Sequence, residues 1–247
     1  MPEEKTKRYE ALLLDLDGTL LNLDIEQFIP AYVEALSKKF TGYLNRDDFA
    51  GHLFGATLKM VENNDPSRNN KAVFYEDFCR RIGISREEIQ AVENDFYRND
   101  FPKLRRWGKI HPDAKTVIKN ARAKNLVLVL ATNPIFPATA ILQRLSWSGL
   151  SPDNFDLVTT MEKMHFCKPN PAYYSEITGI INRSPEKCLM AGNDTLEDLS
   201  AMKAGLDTFL VEDLLLQRGD QEPVSTYRGS LKDLADFISK LESARSK

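Results

Sequence analysis

The run Ala11-Leu12-Leu13-Leu14-Asp15-Leu16-Asp17-Gly18-Thr19-Leu20 decides how the rest of the chain is read. Four consecutive apolar residues suit a short strand buried on both faces, the habit of a parallel sheet. The run stops on a carboxylate, and a second carboxylate comes two residues on. In extended chain such a pair projects to the same side. Gly18 then allows a sharp turn. An Asp-Gly pair alone is an ordinary solvated turn. Directly behind an apolar strand it falls where open α/β sheets bind their ligands, at the carboxyl ends of the strands.

Further along the chain, four more apolar runs end in the same manner. Residues 126–130 lead to Ala131-Thr132-Asn133, and residues 155–158 lead to Thr159-Thr160. Residues 188–191 lead to Gly192-Asn193-Asp194, and residues 208–211 lead to Glu212-Asp213. Helical patterns separate them. Residues 112–124 carry Val117, Ile118 and Ala121 on one face. Asn133 is read as an N-cap with Pro134 at the first helical position, leading through Ile141, Leu142 and Leu145. Asn170-Pro171 repeats that signal, and Asp194 to Glu197 has the spacing of a capping box with Gly205 as its stop. Alternating strands and helices predict an α/β core with a Rossmann-like parallel sheet.

Residues 23–104 obey another rule. Ile25, Phe28, Ile29, Tyr32, Val33, Leu36 and Phe40 keep a 3.6-residue period, and Phe74, Phe78 and Ile82 continue helical spacing. Ser85 and Glu88 form a capping box before Ile89, Val92 and Phe96. This predicts an all-helical unit over 23–104, inserted into an α/β core made of 1–22 and 105–247. Residues 63–70, Asn-Asn-Asp-Pro-Ser-Arg-Asn-Asn, are read as a polar loop between two of its helices.

The strand ends bring Asp15, Asp17, Thr132, Asn133, Asp194 and Asp198 to one edge, with Lys168 a few residues beyond the run at 155–158. Carboxylates this close repel one another unless a cation sits among them, and hard oxygen ligands favour Mg²⁺.

Composition narrows the alternatives. The 247 residues carry 33 basic and 36 acidic side chains, a formal net charge of −3, with no long basic run. That argues against nucleic acid as a partner. Cys79, Cys167 and Cys188 form neither a disulfide framework nor a zinc pattern, and His165 with Cys167 is two ligands short of one. The charged N-terminus lacks an apolar segment, and no apolar stretch approaches the ~18 residues of a membrane span. The expectation is a cytoplasmic protein with no membrane partner.

The motifs together resemble those of the haloacid dehalogenase (HAD) superfamily, whose first motif reads DxDGT, here Asp15-Leu16-Asp17-Gly18-Thr19. Thr132 resembles the second motif's hydroxyl, Lys168-Pro169-Asn170-Pro171 the third motif's lysine, and Gly192-Asn193-Asp194 to Asp198 the acidic fourth motif. Many members have Gly-Asp where this chain has Gly192-Asn193-Asp194, but the two aspartates remain four apart.

The resemblance implies a phosphatase hydrolysing a small-molecule phosphomonoester through an aspartyl-phosphate. Asp15 is then the nucleophile and Asp17 the general acid/base, with phosphate oxygens bound by Thr132, Asn133 and Lys168. Mg²⁺ is assigned to Asp15, Asp17 (through its backbone carbonyl), Asp194 and Asp198, the last in support. The helical unit resembles the family's cap inserted after the first motif, hinged at 21–24 and 101–107. His52, Arg68, Asn69 and Asn70 are candidates for substrate contact and equally for a solvated face, while Phe74, Phe78 and Phe96 read as cap core. A phosphomutase uses the same aspartyl-phosphate. A dehalogenase needs neither Mg²⁺ nor an acid at position 17, and a non-catalytic binding module would not keep every catalytic position filled.

Overall fold

The computed structural model describes residues 8–244. Residues 1–7, most of the charged N-terminal stretch, and residues 245–247 at the end of the expected core lie outside the described residues. The strands are β1 (Ala11–Leu14), β2 (Leu21–Leu23), β3 (Gly108–Ile110), β4 (Val127–Leu130), β5 (Leu157–Val158), β6 (Cys188–Gly192), β7 (Asp207–Val211) and β8 (Tyr227–Gly229). The α-helices are α1 (Ile25–Ser37), α2 (Arg46–Val61), α3 (Asn70–Ile82), α4 (Arg86–Asn99), α5 (Ala114–Ala123), α6 (Ala138–Trp147), α7 (Pro171–Ile180) and α8 (Leu231–Lys240).

Six strands form one parallel sheet in the order β5-β4-β1-β6-β7-β8, so β1 lies near its centre. Its side chains alternate between the faces, as strand geometry requires. Leu12 and Leu14 join one apolar cluster with Leu128, Leu130 and Ile238. Ala11 and Leu13 join the other with Val129, Met190, Tyr173 and Ile177. All four residues are fully buried, which is why the run has no polar member. The register pairs Leu14 with Leu130 on one side and Ala191 on the other. Asp15, Thr132 and Asn193 therefore leave the sheet at the same edge.

Helices α1–α4 lie between β2 and β3 in the chain, and β2 and β3 pair as an antiparallel ribbon, Leu21 opposite Ile110 and Leu23 opposite Gly108. The ribbon escapes a hydrophobic reading because Lys109 and Ile110 are exposed and each strand is three residues long. Phe74, Phe78 and Phe96 are buried; Phe96 joins a network of ring contacts that runs from Phe28 and Tyr32 to Phe136 and Trp147, while Phe74 and Phe78 stack together in a second ring cluster with Phe40 and Phe49. Among the described residues no helix is long and apolar enough to cross a membrane.

Two helix starts differ from expectation. Asn133 does not cap α6, which begins at Ala138 after an extended Pro137. The Asn133 side chain is bound to the Lys168 backbone instead, and Glu162 accepts from the Ala138 amide, 3.0 Å away. The capping box at Asp194 is half realised. Asp194 accepts from the amides of Leu196 and Glu197 at 2.8 and 2.9 Å, but the helix beyond them is a 3₁₀ helix, Leu199–Ala204. It stops at Gly205 in the left-handed conformation, as expected.

Candidate active site

A cavity of about 220 Å³ opens at the carboxyl edge of the sheet, lined by Asp15, Asp17, Thr132, Asn133, Asp194 and Asp198. Lys168 is fully buried at its base, its Nζ 2.8 Å from Asp15 Oδ1 and 2.6 Å from Asp198 Oδ1. Every site residue expected from the sequence is thus gathered in one place. The contributors come from residues 15–17, 132–133, 168 and 194–198, which only the parallel register brings together.

Close packing behind the cavity explains the two glycines. Gly18 has φ +83°, and a Cβ there would overlap the Asn193 side chain. A Cβ on Gly192 would overlap the Asp198 carboxylate. Asn193, where the motif departs from its usual form, is a tie. It accepts from the Thr19 hydroxyl at 3.2 Å and donates to the Leu214 carbonyl at 2.6 Å, joining the first and fourth motifs to a loop beyond β7.

Lys168 is held from two directions. Asn133 brackets its peptide unit, accepting from Lys168 N at 3.2 Å and donating to Lys168 O at 3.4 Å. The loop that carries it is also fastened to the α2–α3 connection. Asn63 donates to His165 O, Asn69 to Glu162 O and Asn70 to Phe166 O, while the amides of Asn70 and Lys71 donate to Met164 O and Met161 O. The polar stretch read as a loop between two helices is one, and it is also a docking segment. Of the four residues offered for substrate contact, Asn69 and Asn70 are spent there, Arg68 pairs with Glu76, and none of the four, His52 included, lines the cavity.

The carboxylates outnumber the cations among them. Burial pushes the Asp15 carboxyl up against the pull of Lys168, and pushes Asp17 up against the pull of Arg144. Burial also raises Asp198 to about 7, opposed by Lys168 and reinforced by Asp15, and raises Glu197 to about 8. Burial works against the charge of Lys168, but Asp15 and Asp198 outweigh it and hold the ammonium well above its ordinary range. Such an arrangement accepts added positive charge readily.

Two charged lining residues, Arg144 and Arg218, have no counterpart in the sequence motifs, and Glu197, inside the fourth motif, lines the cavity without having been assigned a role. Arg144 is fully buried, its Nε donates to Asp17 Oδ1 at 3.1 Å, and its guanidinium lies 4.2 Å from the Phe136 ring centre. Its Nη1 is buried with no hydrogen-bond partner. A signal for it existed, since Arg144 falls among the apolar positions Ile141 and Leu145, where a charge needs a partner. Arg218 reaches Asp194 Oδ2 at 3.2 Å from a loop that no pattern marks.

For a hard divalent cation the suitable oxygens are the carboxylates of Asp15 and Asp194 and the backbone carbonyl of Asp17. The Asp17 side chain faces Arg144, while Asp198 is engaged by Lys168 and by the Asp194 amide, 2.9 Å away. Among the described residues, no three side chains of His, Cys, Asp or Glu cluster tightly enough to hold an ion unaided. That donor set still fits Mg²⁺, which is usually bound by one or two carboxylates and keeps several waters. Cys79, Cys167 and Cys188 are free thiols, and His165 pairs with Glu176 at 2.7 Å.

A family model for haloacid dehalogenase-like hydrolases matches residues 9–205. The chain is 23% identical over 203 residues to a phosphoglycolate phosphatase of Psychrobacter arcticus, covering 81% of each chain. It is 22% identical over 207 residues to the pyrophosphatase PpaX of Bacillus cereus, covering 83% of each. It superposes with a TM-score of 0.57 on the HAD-hydrolase YfnB of Bacillus subtilis, solved bound to magnesium, at 23% identity over 94% of this chain and 99% of that one.

Proposed function

The chain belongs to the haloacid dehalogenase-like hydrolases, and from that premise we propose that it is a Mg²⁺-dependent phosphatase of a small-molecule phosphomonoester, working through an aspartyl-phosphate on Asp15. The observation that carries this reading is the Lys168 ammonium fixed between Asp15 and Asp198 directly under the cavity. It orients one carboxylate oxygen and leaves positive charge beside the place where a phosphoryl group would sit.

In this reading Asp15 attacks phosphorus, forming an acyl-phosphate bond as the ester P–O bond breaks. Asp17 delivers its proton to the departing alkoxide, then takes one from the water that attacks phosphorus and frees the Asp15 carboxylate. Arg144 fixes the Asp17 carboxyl in one orientation. Burial favours a carboxyl that can hold a proton until the leaving group needs it. Lys168 offsets charge on the transferring oxygens. The Thr132 hydroxyl, for which no hydrogen bond occurs among the described residues, is available to donate to one of them. Asn133 acts through Lys168 by holding its backbone. Mg²⁺, when held by Asp15, Asp194 and the Asp17 carbonyl, supplies the remaining charge neutralisation. Helices α1–α4 serve as the cap that excludes bulk water during transfer.

The test is inorganic phosphate release from a panel of phosphomonoesters with Mg²⁺. Asp15→Asn is expected to abolish turnover, and no isomeric ester should accumulate, which separates hydrolysis from a mutase. Full turnover by Asp15→Asn refutes the assignment of the nucleophile.

A further inference from the structure

A second cavity adjoins the catalytic one, and Ile29, Ile135 and Phe136 line both. Its volume is about 70 Å³. Its walls come from all four helices between β2 and β3 and from the segments after β4 and β5, with Val33, Leu53, Phe74 and Met161 supplying apolar surface. Its polar groups are mostly matched to one another. The hydroxyls of Tyr32 and Tyr97 are 3.0 Å apart, and Tyr75 donates to one oxygen of Glu93. Among the described residues Tyr75 is the sole hydrogen-bond partner of Glu93, so its other carboxyl oxygen remains able to accept.

We propose that this cavity is the leaving-group subsite, and that it takes a compact apolar chain of a few carbons ending in a hydrogen-bond donor, an ammonium or hydroxyl, directed at Glu93. The inference rests on the phosphatase reading and adds the class of ester. Size sets the upper limit, because a benzene-sized ligand occupies a cavity of about 150 Å³ whereas one water's share is about 30 Å³. Polarity sets the rest. Burying methylene groups against this wall is favourable, and a terminal donor answers the oxygen of half-buried Glu93 that Tyr75 leaves free. A distal carboxylate or second phosphate would lose its hydration against apolar surface and face another acid.

The experiment compares kcat/KM for methyl, n-propyl and 3-aminopropyl phosphate with phosphoglycolate and pyrophosphate, in wild type and Thr57→Phe, whose new ring would fill the cavity. Each methylene buried is worth about fourfold, so n-propyl phosphate should exceed methyl phosphate at least tenfold, with 3-aminopropyl phosphate higher again. In Thr57→Phe the propyl-to-methyl ratio should fall towards one. Calorimetric binding of 3-aminopropylphosphonate, which cannot be hydrolysed, should weaken at least tenfold in the same variant. A flat alkyl series with phosphate still released, a preference for phosphoglycolate or pyrophosphate, or equal phosphonate binding by both proteins overturns the subsite. Phosphonate binding that responds to Thr57→Phe while no ester is hydrolysed overturns the phosphatase reading and leaves the subsite standing.

Discussion

Replacing Lys168 with methionine tests whether the buried ammonium organises the site. Its Nζ contacts Asp15 and Asp198 at 2.8 and 2.6 Å, and the side chains of all three are nearly inaccessible, at 0%, 12% and 2% exposure. Methionine fills similar volume, so the cost comes from two carboxylates left without a cation. Breaking a buried pair in this way costs about 3–5 kcal/mol. The cost must depend on pH, because the stranded groups can take up protons. In the wild type Asp198 titrates at about 7, above the unfolded value near ~3.9. A raised folded pKa means stability fully present below the unfolded value and lost as pH rises through the folded one. Lys168 holds that value down, so in Lys168→Met the group stays neutral to higher pH and stability keeps falling. Each further pH unit removes about 1.4 kcal/mol. Wild-type Asp198 is still losing its last protons there, so from Asp198 alone the deficit relative to wild type should widen by about 1 kcal/mol between pH 7 and pH 8. Urea unfolding without divalent metal at pH 5.5, 7 and 8 reads this directly. A deficit that does not change with pH, or a variant as stable as wild type at pH 8, would show that Lys168 does not hold the carboxylates in their charged arrangement.

Two shorter tests address the neighbouring cavity and the backbone behind the site. Burial raises Glu93 to about 7, so its ionisation removes stability as pH rises from the unfolded range near ~4.3 to about 7, by about 1–3 kcal/mol. Glu93→Gln cannot ionise and should therefore gain stability relative to wild type across that window in paired urea melts, whereas a constant difference would discount the burial of Glu93. Gly192→Ala would place a methyl group on the Asp198 carboxylate. It should cost about 1–3 kcal/mol, as overpacking does, and lower kcat for phosphate release by displacing the partner of Lys168. Unchanged melting and kcat would show that Asp198 can move away freely.

The site was legible wherever a polar or charged side chain stands at the end of an apolar run. Asp15, Thr132 and Asp194 stand at the ends of buried strands, and a parallel register leaves such residues nowhere to go but a shared edge. Lys168 was legible only through its motif, since a lone lysine is ordinarily solvated, whereas here it is enclosed by Asp15 and Asp198. The ribbon of β2 and β3 was not legible, because each strand has three residues and one of them is largely exposed. Arg144 could have been found as a charge on the apolar side of its helix, but its partner Asp17 lies 127 residues away. Local patterns carry no information about a pairing at that distance.

The asparagine-rich loop meets the same limit. By composition, residues 63–70 are a turn, and composition cannot say that Asn63, Asn69 and Asn70 will satisfy carbonyls of the loop leading to Lys168. Backbone groups in a loop need partners just as those in a sheet do. Here the helices between β2 and β3 supply them, while Asn133 holds the next peptide unit from the sheet side. The position of the buried ammonium is therefore fixed jointly by the sheet and by the helical segment. A displacement of that segment must either break these hydrogen bonds or carry the 161–170 loop with it. The contacts that shape the second cavity and those that anchor Lys168 thus belong to one connected unit, joining the proposed leaving-group subsite to the ammonium beside Asp15.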